Sequence, residues 1–198
     1  MQTGPQTPAP LWLRLIVFAL IMWAVYVMLN GWDRAPGFWS EQFDRQTKDF
    51  SAEVVAYADT LPQITLPQLN QQFNTPAPSL VFVFASWCPH CRRVMPELVG
   101  LSEAVDLPLT VISVDKNRYQ LADYWLSQPD AVQTLPMQHM PAEDTARLND
   151  FLKAHGGDNA GAIPYLAVVN EDGKVIAEIL GYASKDALIT QIKLEGMK

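Results

Sequence analysis

The chain is poor in cysteine and histidine and has no basic run. Its 198 residues include two cysteines and three histidines, and the formal net charge is −7. Two cysteines exclude a network of disulfides and a zinc site made of four thiolates. The acidic balance argues against a nucleic-acid partner, because binding to phosphates needs clustered positive charge. No glycine-rich dinucleotide turn follows a strand pattern, so we expect no nicotinamide and no other cofactor.

Both cysteines fall in one short run, Trp87-Cys88-Pro89-His90-Cys91. The run follows Leu80–Phe84, a continuous apolar segment typical of a strand buried on both faces. A helical pattern begins directly after it, so Cys88 is predicted at a helix N-terminus. Unpaired backbone N–H groups and the helix dipole favour a thiolate at that position. Cys91 lies one helical turn further on, within reach of a disulfide.

This arrangement predicts a redox site in which each residue of the run has a role. Cys88 is predicted to attack as a thiolate, and Cys91 to be the more buried thiol that resolves the mixed disulfide. Pro89 suits a first helical turn, where its missing N–H would have no partner. His90 is predicted to add positive charge or a hydrogen bond toward the Cys88 sulfur. Trp87 is predicted to lie on the active-site surface and to limit access to the sulfurs.

Two other functions stay open at this point. The first is a copper metallochaperone that uses the cysteine pair with a histidine, and Met137, His139 and Met140 form a group of soft ligands suited to copper. Methionines more often fill gaps in a core, and we expect no resident metal. The second is a binding module without catalysis.

The segment from Leu11 to Leu29 is apolar except for Arg14. At a rise of about 1.5 Å per residue it nearly spans a bilayer core of about 30 Å. A cleaved signal peptide is the alternative, but the small residues of a cleavage site are missing after Leu29. The sequence therefore predicts a retained transmembrane anchor over residues 11–30.

The orientation of this anchor rests on chemistry more than on charge. Arg14 lies on the N-terminal side, whereas Arg34, Arg45 and Lys48 lie on the other, and the positive-inside rule alone favours a cytoplasmic domain. A disulfide is useful in an oxidising compartment, however. We therefore expect a single-pass protein of the inner (cytoplasmic) membrane with its catalytic domain on the periplasmic side.

The rest of the pattern has an α/β order. A helix with one apolar side is predicted over 38–58, and the prolines at 62, 67, 76 and 78 indicate extended or turning chain. Further strands are predicted at 107–114, 165–169 and 174–180, the last two joined by an Asp172-Gly173 turn. Helices are predicted at 92–105, 118–128, 142–154 and 185–194.

Three motifs in order resemble the thioredoxin superfamily, in particular its membrane-anchored TlpA-like and DsbA-like thiol–disulfide oxidoreductases. Val83–Cys91 resembles the active-site entry, with Pro96 where the family places the proline that kinks the helix. Gly161–Leu166 resembles the cis-proline loop, and Asp172–Val175 with Gly181 the closing hairpin.

The resemblance implies an α/β thioredoxin-like fold, with a central mixed sheet flanked by helices and one preceding transmembrane helix. It implies that Ile163–Pro164 is a cis bond that faces the cysteines and pairs with the substrate backbone. The chain then divides into an N-terminal tail (1–10), the anchor (11–30), a helical linker (31–61) and a thioredoxin-like domain (62–198). Protein thiols and disulfides are the implied substrates, and a membrane or soluble redox partner must reset the cysteines.

Some features depart from the thioredoxin pattern. Phe82 stands where thioredoxin has a buried acid that relays protons, and Val94 where many TlpA-like reductases have a glutamate. The stretch between Val114 and Pro164 is longer than in thioredoxin and resembles a TlpA-like insertion. The Pro89-His90 dipeptide is that of DsbA, an oxidase, whereas TlpA-like proteins mostly reduce. The direction of the reaction is therefore left open.

Overall fold

The structure is a computed structural model that describes residues 17, 18, 22, 50–158 and 161–195. The chain divides into two units, residues 1–49 and 50–198. In the first unit Val17, Phe18 and Met22 are helical and exposed. Within the described residues no helix is both long enough and apolar enough to cross a bilayer. Apart from those three residues the predicted anchor lies outside the described part, as do residues 31–49 of the predicted linker.

The second unit alternates strands and helices. Its helices are α1 (Ala52–Thr60), α2 (Leu66–Phe73), α3 (Pro89–Val94), α4 (Leu101–Val105), α5 (Arg118–Leu126), α6 (Asp130–Gln133), α7 (Ala142–Ala154) and α8 (Lys185–Glu195), with a 3₁₀ helix at Met95–Leu98. Its strands are β1 (Ser79–Phe84), β2 (Leu109–Ser113), β3 (Met137–His139), β4 (Tyr165–Val169) and β5 (Val175–Leu180).

The five strands form one mixed sheet in the order β3-β2-β1-β4-β5. Strand β1 pairs in parallel with β2, and β2 in parallel with β3. On its other side β1 pairs antiparallel with β4, which pairs antiparallel with β5. The predicted mixed sheet flanked by helices is confirmed.

Each face of the sheet carries its own core. Phe82 and Phe84 point into one cluster, which also contains apolar side chains of α1, α5 and α8. Val81 and Val83 point into the other, with side chains of α2 and α7. Successive strand residues face opposite sides, so the uninterrupted apolar run of β1 is buried on both faces, as predicted.

Helix α1 packs on the core of the second unit. Val54, Ala58 and the following Leu61 are buried in the first cluster. Arg118 of α5 also forms an ion pair with Asp59 at 2.7 Å. The compact unit therefore begins at residue 50 and includes the last residues of the segment predicted as a linker.

The chain among the prolines at 62, 67, 76 and 78 is more regular than predicted. Leu66–Phe73 is a helix and not extended chain. Proline is compatible with a first helical turn, where Pro67 lies. Thr65 and Gln68 close a capping box that starts the helix. The expectation of extended or turning chain was wrong over Leu66–Phe73 for that reason, whereas the chain at Pro62, Pro76 and Pro78 is not helical.

Two further elements differ from the sequence pattern. The helix predicted over 92–105 is divided into α3, the 3₁₀ helix and α4, with Pro96 in the 3₁₀ turn and Gly100 at φ 69° before α4. Strand β3 was not predicted, because a three-residue strand is too short to show a period.

Candidate active site

The sheet register brings three loops to one edge. Because β1 and β2 are parallel, their carboxyl ends meet, with Phe84 opposite Ser113. Because β4 is antiparallel to β1, its first residue, Tyr165, lies opposite Val83. The chain that leaves β1 toward Cys88 is therefore flanked by the loop after β2 and by the loop before β4.

Cys88 is the N-cap of α3, as predicted from the sequence. Its backbone is extended, with φ −83° and ψ 115°, and its sulfur accepts the Cys91 backbone N–H at 3.4 Å. Its own N–H donates to the carbonyl oxygen of Ala85 at 3.1 Å. The side chain is 5% exposed. A backbone N–H aimed at the sulfur stabilises a negative charge there.

Cys91 lies one turn below, and its side chain is 0% exposed. Both cysteines are free thiols in this structure. Burial, followed by a side-chain hydrogen bond with Cys88, raises the pKa of the Cys91 thiol, and the charge of Asp115 raises it further. The predicted difference in burial between the two thiols is small, but the deeper position of Cys91 is confirmed.

The loop before β4 faces the cysteines. The Ile163–Pro164 bond is cis, as the resemblance implied. The Ile163 carbonyl oxygen lies 3.9 Å from the Cys88 sulfur, which donates to it. Ile163 is half-buried and Pro164 is buried. The Pro164 carbonyl accepts the Gly181 N–H at 3.0 Å, which ties the loop to the end of β5.

The other residues of the cysteine run are on the surface. Pro89 is in the first turn of α3, as predicted, and is exposed. His90 is also exposed, and in the described part of the chain no hydrogen bond joins its ring to the Cys88 sulfur. Trp87 is 63% exposed, so its indole forms the surface beside a nearly buried Cys88.

A buried acid lies behind the cysteine loop. Asp115, which follows β2, is 2% exposed. Its carboxylate accepts the Ser86 N–H at 2.8 Å, the Ser86 hydroxyl at 2.7 Å and the Ser113 hydroxyl at 2.7 Å. The imidazole Nε2 of His139 lies 2.8 Å from the Asp115 carbonyl oxygen. Ser86 precedes Cys88 by two residues, so Asp115 holds the loop that carries the thiol.

Sequence reasoning identified Phe82 as a missing acid but did not find Asp115. Phe82 is buried in the core, 1% exposed. Asp115 had one available signal: it directly follows a buried strand, whose carboxyl end meets that of β1 if the two strands are parallel. The sequence between β1 and β2 does not show which residues of the two strands lie opposite each other. The contact between Asp115 and Ser86 could therefore not be predicted from the sequence.

The three soft ligands suggested for copper do not come together. Met137 is in the core cluster on one face of the sheet, and Met140 in the cluster on the other face. His139 is used in the contact with the Asp115 carbonyl. Among residues 50–158 and 161–195 no group of three or more histidine, cysteine or acidic side chains is placed to hold a metal ion.

The chain is similar to known redox proteins. The model of the Redoxin family matches residues 56–193. Over 102 residues the chain is 28% identical to probable nucleoredoxin 1 of Arabidopsis thaliana. That match covers 50% of this chain and 16% of the relative, so the chain spans only a small part of the relative's length.

Two solved structures are similar to parts of this chain. The thioredoxin-related protein from Neisseria meningitidis serogroup B has a TM-score of 0.50 and 21% identity, over 65% of this chain and 90% of that one. A thiol:disulfide interchange protein of the thioredoxin family from Chlorobium tepidum TLS has a TM-score of 0.48 and 22% identity, over 64% and 83%. The first of these likenesses shows a thioredoxin-like fold.

Proposed function

Because the chain belongs to the Redoxin family, we propose that it is a thiol–disulfide oxidoreductase that exchanges disulfides with protein substrates through Cys88 and Cys91. One observation carries the proposal: the Cys88 sulfur caps α3 and accepts the Cys91 N–H at 3.4 Å, while Cys91 is fully buried one turn away. This arrangement supports Cys88 as the attacking sulfur and Cys91 as the resolving one.

The exchange transfers two electrons between the Cys88–Cys91 pair and a substrate disulfide or dithiol. In the reducing direction the Cys88 thiolate attacks a substrate disulfide, a mixed disulfide forms, and one substrate sulfur leaves as a thiolate that takes a proton. Cys91 then loses its proton and attacks the Cys88 sulfur. The mixed disulfide breaks, the second substrate thiol leaves, and the Cys88–Cys91 disulfide remains. The oxidising direction is the reverse, and in either case a redox partner protein resets the pair.

Burial makes the second step depend on a proton acceptor. The pKa of Cys91 is raised, so at neutral pH its sulfur is a thiol until the step begins. A thiol attacks a disulfide far more slowly than a thiolate does. The mixed disulfide on Cys88 lasts until Cys91 loses its proton and attacks. Replacing Cys91 removes this attack and should make the mixed disulfide long-lived.

Replacing Cys91 with alanine tests the proposal. The Cys91→Ala protein should accumulate mixed disulfides with substrate proteins, visible as adducts on non-reducing gels that dithiothreitol removes. Cys88→Ala is the matched control and should form none, because Cys91 is inaccessible. Equal adducts from both variants, or adducts from neither, would refute the assigned roles.

The potential of the pair decides the direction of exchange. Equilibration of the purified protein with glutathione measures it, with Cys88→Ala as the blank. A value near about −120 mV supports an oxidase, and one below about −250 mV a reductase. His90 is exposed beside Cys88, so His90→Ala tests whether the dipeptide of DsbA shifts this value here.

We propose further that the chain is held in the inner membrane by residues 11–30, with the redox domain in the periplasm. The length of the apolar segment supports a membrane anchor. The use of a disulfide in an oxidising compartment supports the periplasmic side of the membrane for the redox domain. In a Gram-negative host, the full chain should sediment with membranes and be digested by protease added to spheroplasts. Deletion of residues 1–30 should release it from the membrane. Digestion only after lysis would place the domain in the cytoplasm.

A further inference from the structure

An acidic side chain, Glu178, lies on a core-facing side of the last strand. In β5, Ala177 and Ile179 are buried in the first cluster, so the residue between them faces the opposite side of the sheet. There it stands opposite Ala167 of β4, which belongs to the second cluster. A half-buried carboxylate at such a position is costly unless donors satisfy its oxygens. Glu178 therefore needs hydrogen-bond donors, and the structure supplies two.

Both donors flank the loop before β4, residues 161–164. The Tyr165 hydroxyl donates to Glu178 Oε1 at 2.6 Å, and the Asp158 backbone N–H donates to the same oxygen at 2.7 Å. Tyr165 is the first residue of β4, and its side chain is 0% exposed. Tyr165 and Glu178 are diagonal neighbours across the two strands, a spacing that long side chains can bridge. One carboxylate oxygen thus holds the chain on both sides of the loop.

The chain packs closely around this oxygen. A Cβ on Gly157 would lie 2.9 Å from Glu178 Oε1 and 2.9 Å from the Tyr165 hydroxyl oxygen. Gly157 does not have a positive φ, so the lack of space and not the backbone conformation favours a glycine there. The Pro164 carbonyl also accepts the Gly181 N–H at 3.0 Å. Strand β5 and the residue after it therefore hold the loop before β4 through three hydrogen bonds.

The loop before β4 presents a backbone acceptor to the Cys88 sulfur. The Ile163 carbonyl oxygen accepts the Cys88 S–H at 3.9 Å. A Cys88 sulfur that has lost its proton or formed a disulfide has no proton to donate. The carbonyl then becomes available to another donor, and a backbone N–H of a bound polypeptide is such a donor. It becomes available at the step in which a substrate is attached to Cys88.

We propose that Glu178 is a positioning residue for polypeptide substrates: its carboxylate fixes the loop before β4 so that the Ile163 carbonyl accepts a backbone N–H of the substrate. The inference rests on the proposed function, since this hydrogen bond forms beside the Cys88 sulfur during exchange. It adds a preference for disulfides within peptide chains over small disulfides that lack amide groups. Glu178 acts through the loop and not on the sulfur.

The test compares two disulfides that differ only in their backbone N–H groups. One is a short peptide whose cysteine carries thionitrobenzoate, and the other is the same peptide with N-methylated amides beside the cysteine. The Cys88 thiolate of the reduced full-length protein attacks the peptide sulfur, a mixed disulfide forms, and the coloured thionitrobenzoate thiolate leaves. The ratio of second-order rate constants, unmethylated over methylated, measures the contribution of backbone hydrogen bonds. One net hydrogen bond predicts a ratio of about five.

Three changes should bring this ratio toward one. Glu178→Ala removes the acceptor of both hydrogen bonds, and Tyr165→Phe removes one donor while it keeps the buried ring. Gly157→Ala places a methyl group against the carboxylate and the hydroxyl. Glu178→Gln keeps an acceptor oxygen at this position and should therefore keep most of the ratio.

A disulfide without amide groups separates positioning from structural damage. The rate constant for the mixed disulfide of mercaptoethanol with thionitrobenzoate reports the Cys88 sulfur alone and should be the same in all of these proteins. Glu171→Ala is the matched control for the acid, at an exposed position of the turn before β5. Tyr57→Phe is the control for the hydroxyl, at a half-buried tyrosine of α1. Neither control should change the ratio for the peptide pair.

Three results would contradict the proposal. A wild-type ratio near one would overturn the backbone contact. A ratio that Glu178→Ala leaves unchanged, or that Glu178→Gln lowers as far as Glu178→Ala does, would overturn the role of the Glu178 oxygen. In each of these cases attack by Cys88 is still measured, so the proposed function would stand.

A second readout does not need exchange. The same peptide with serine in place of cysteine, and its methylated form, are titrated into the protein and followed by NMR. Larger shifts of the Ile163 and Gly181 N–H signals with the unmethylated peptide, lost in Glu178→Ala, support the contact even if no disulfide reacts, in which case the proposed function alone fails. Equal shifts with the two peptides overturn the contact.

Discussion

The Asp115 carboxylate holds Ser86 at two points, its backbone N–H at 2.8 Å and its hydroxyl at 2.7 Å. The two residues are 29 positions apart in the chain, and both are nearly inaccessible to solvent. The contact joins the ends of two parallel strands, and the chain continues from Ser86 directly toward Cys88. The position of the Cys88 sulfur thus depends on a buried acid in another loop.

Asp115→Asn should destabilise the protein by about 3 kcal/mol, because an amide turns one of two acceptor atoms into a donor and leaves buried donors unpaired. Chemical denaturation of the reduced protein measures this. Asp150→Asn, at an exposed position of α7, is the control and should change the free energy of unfolding by less than about 0.5 kcal/mol. Equal effects of the two changes would contradict the role of the buried network.

The stability of the reduced protein should fall above about pH 8.5, where an unfolded cysteine ionises. The pKa of Cys91 is raised by burial, so the folded state keeps a proton that the unfolded state loses. Stability then decreases with rising pH by up to about 1.4 kcal/mol per pH unit for this one group. Below about pH 8 the group contributes no pH dependence.

Denaturation curves between about pH 8 and 10, in the presence of a strong reductant, measure this decline. The upper limit avoids Tyr124 and Tyr165, whose pKa values are also raised by burial and whose unfolded forms ionise near pH 10. The Cys91→Ala protein is the reference, and the difference between the two proteins isolates the thiol. Parallel curves would show that Cys91 is not desolvated as described.

Gly173→Ala should be far more disruptive than Gly181→Ala. Both glycines have positive φ, 70° and 82°, which costs an alanine about 1 kcal/mol at either position. A Cβ on Gly173 would also collide with the backbone of Phe73, whereas one on Gly181 meets nothing within 4 Å. We expect a loss of about 3 kcal/mol or more at Gly173, from strain added to the backbone cost. Thermal unfolding of the two variants checks this, and similar losses would contradict it.

A fragment that begins at Phe50 should be more stable than one that begins at Pro62. The shorter fragment loses α1 and with it the burial of Val54, Ala58 and Leu61. Burial of one valine or leucine side chain contributes about 1.5–3 kcal/mol, so we expect a difference of about 4 kcal/mol. Urea denaturation of the two fragments measures it. Equal midpoints would place the folding boundary at residue 62.

The parts of the site that were predicted are those coded by neighbouring residues. Cys88, Pro89 and Cys91 lie on one turn after a strand, so the strand pattern and the helix rules place them without knowledge of the rest of the fold. Ile163–Pro164 was found by resemblance, because the motif around it is contiguous. Helix α2 was missed because the prolines were taken to indicate extended or turning chain, although the Thr65–Gln68 capping box shows that Pro67 lies where a helix begins.

The sequence by itself determined where the thiols lie along the chain and that a buried strand leads to them, since strand period and helix capping are local properties. Only the tertiary structure decided which acid supports the cysteine loop and which acid holds the loop before β4. Ser86 meets Asp115 through the register of β1 with β2, and Tyr165 meets Glu178 through the register of β4 with β5. Strand register and helix packing depend on the burial of both faces of the sheet together. The hydrophobic pattern of one strand does not show where the neighbouring strand or helix lies against it.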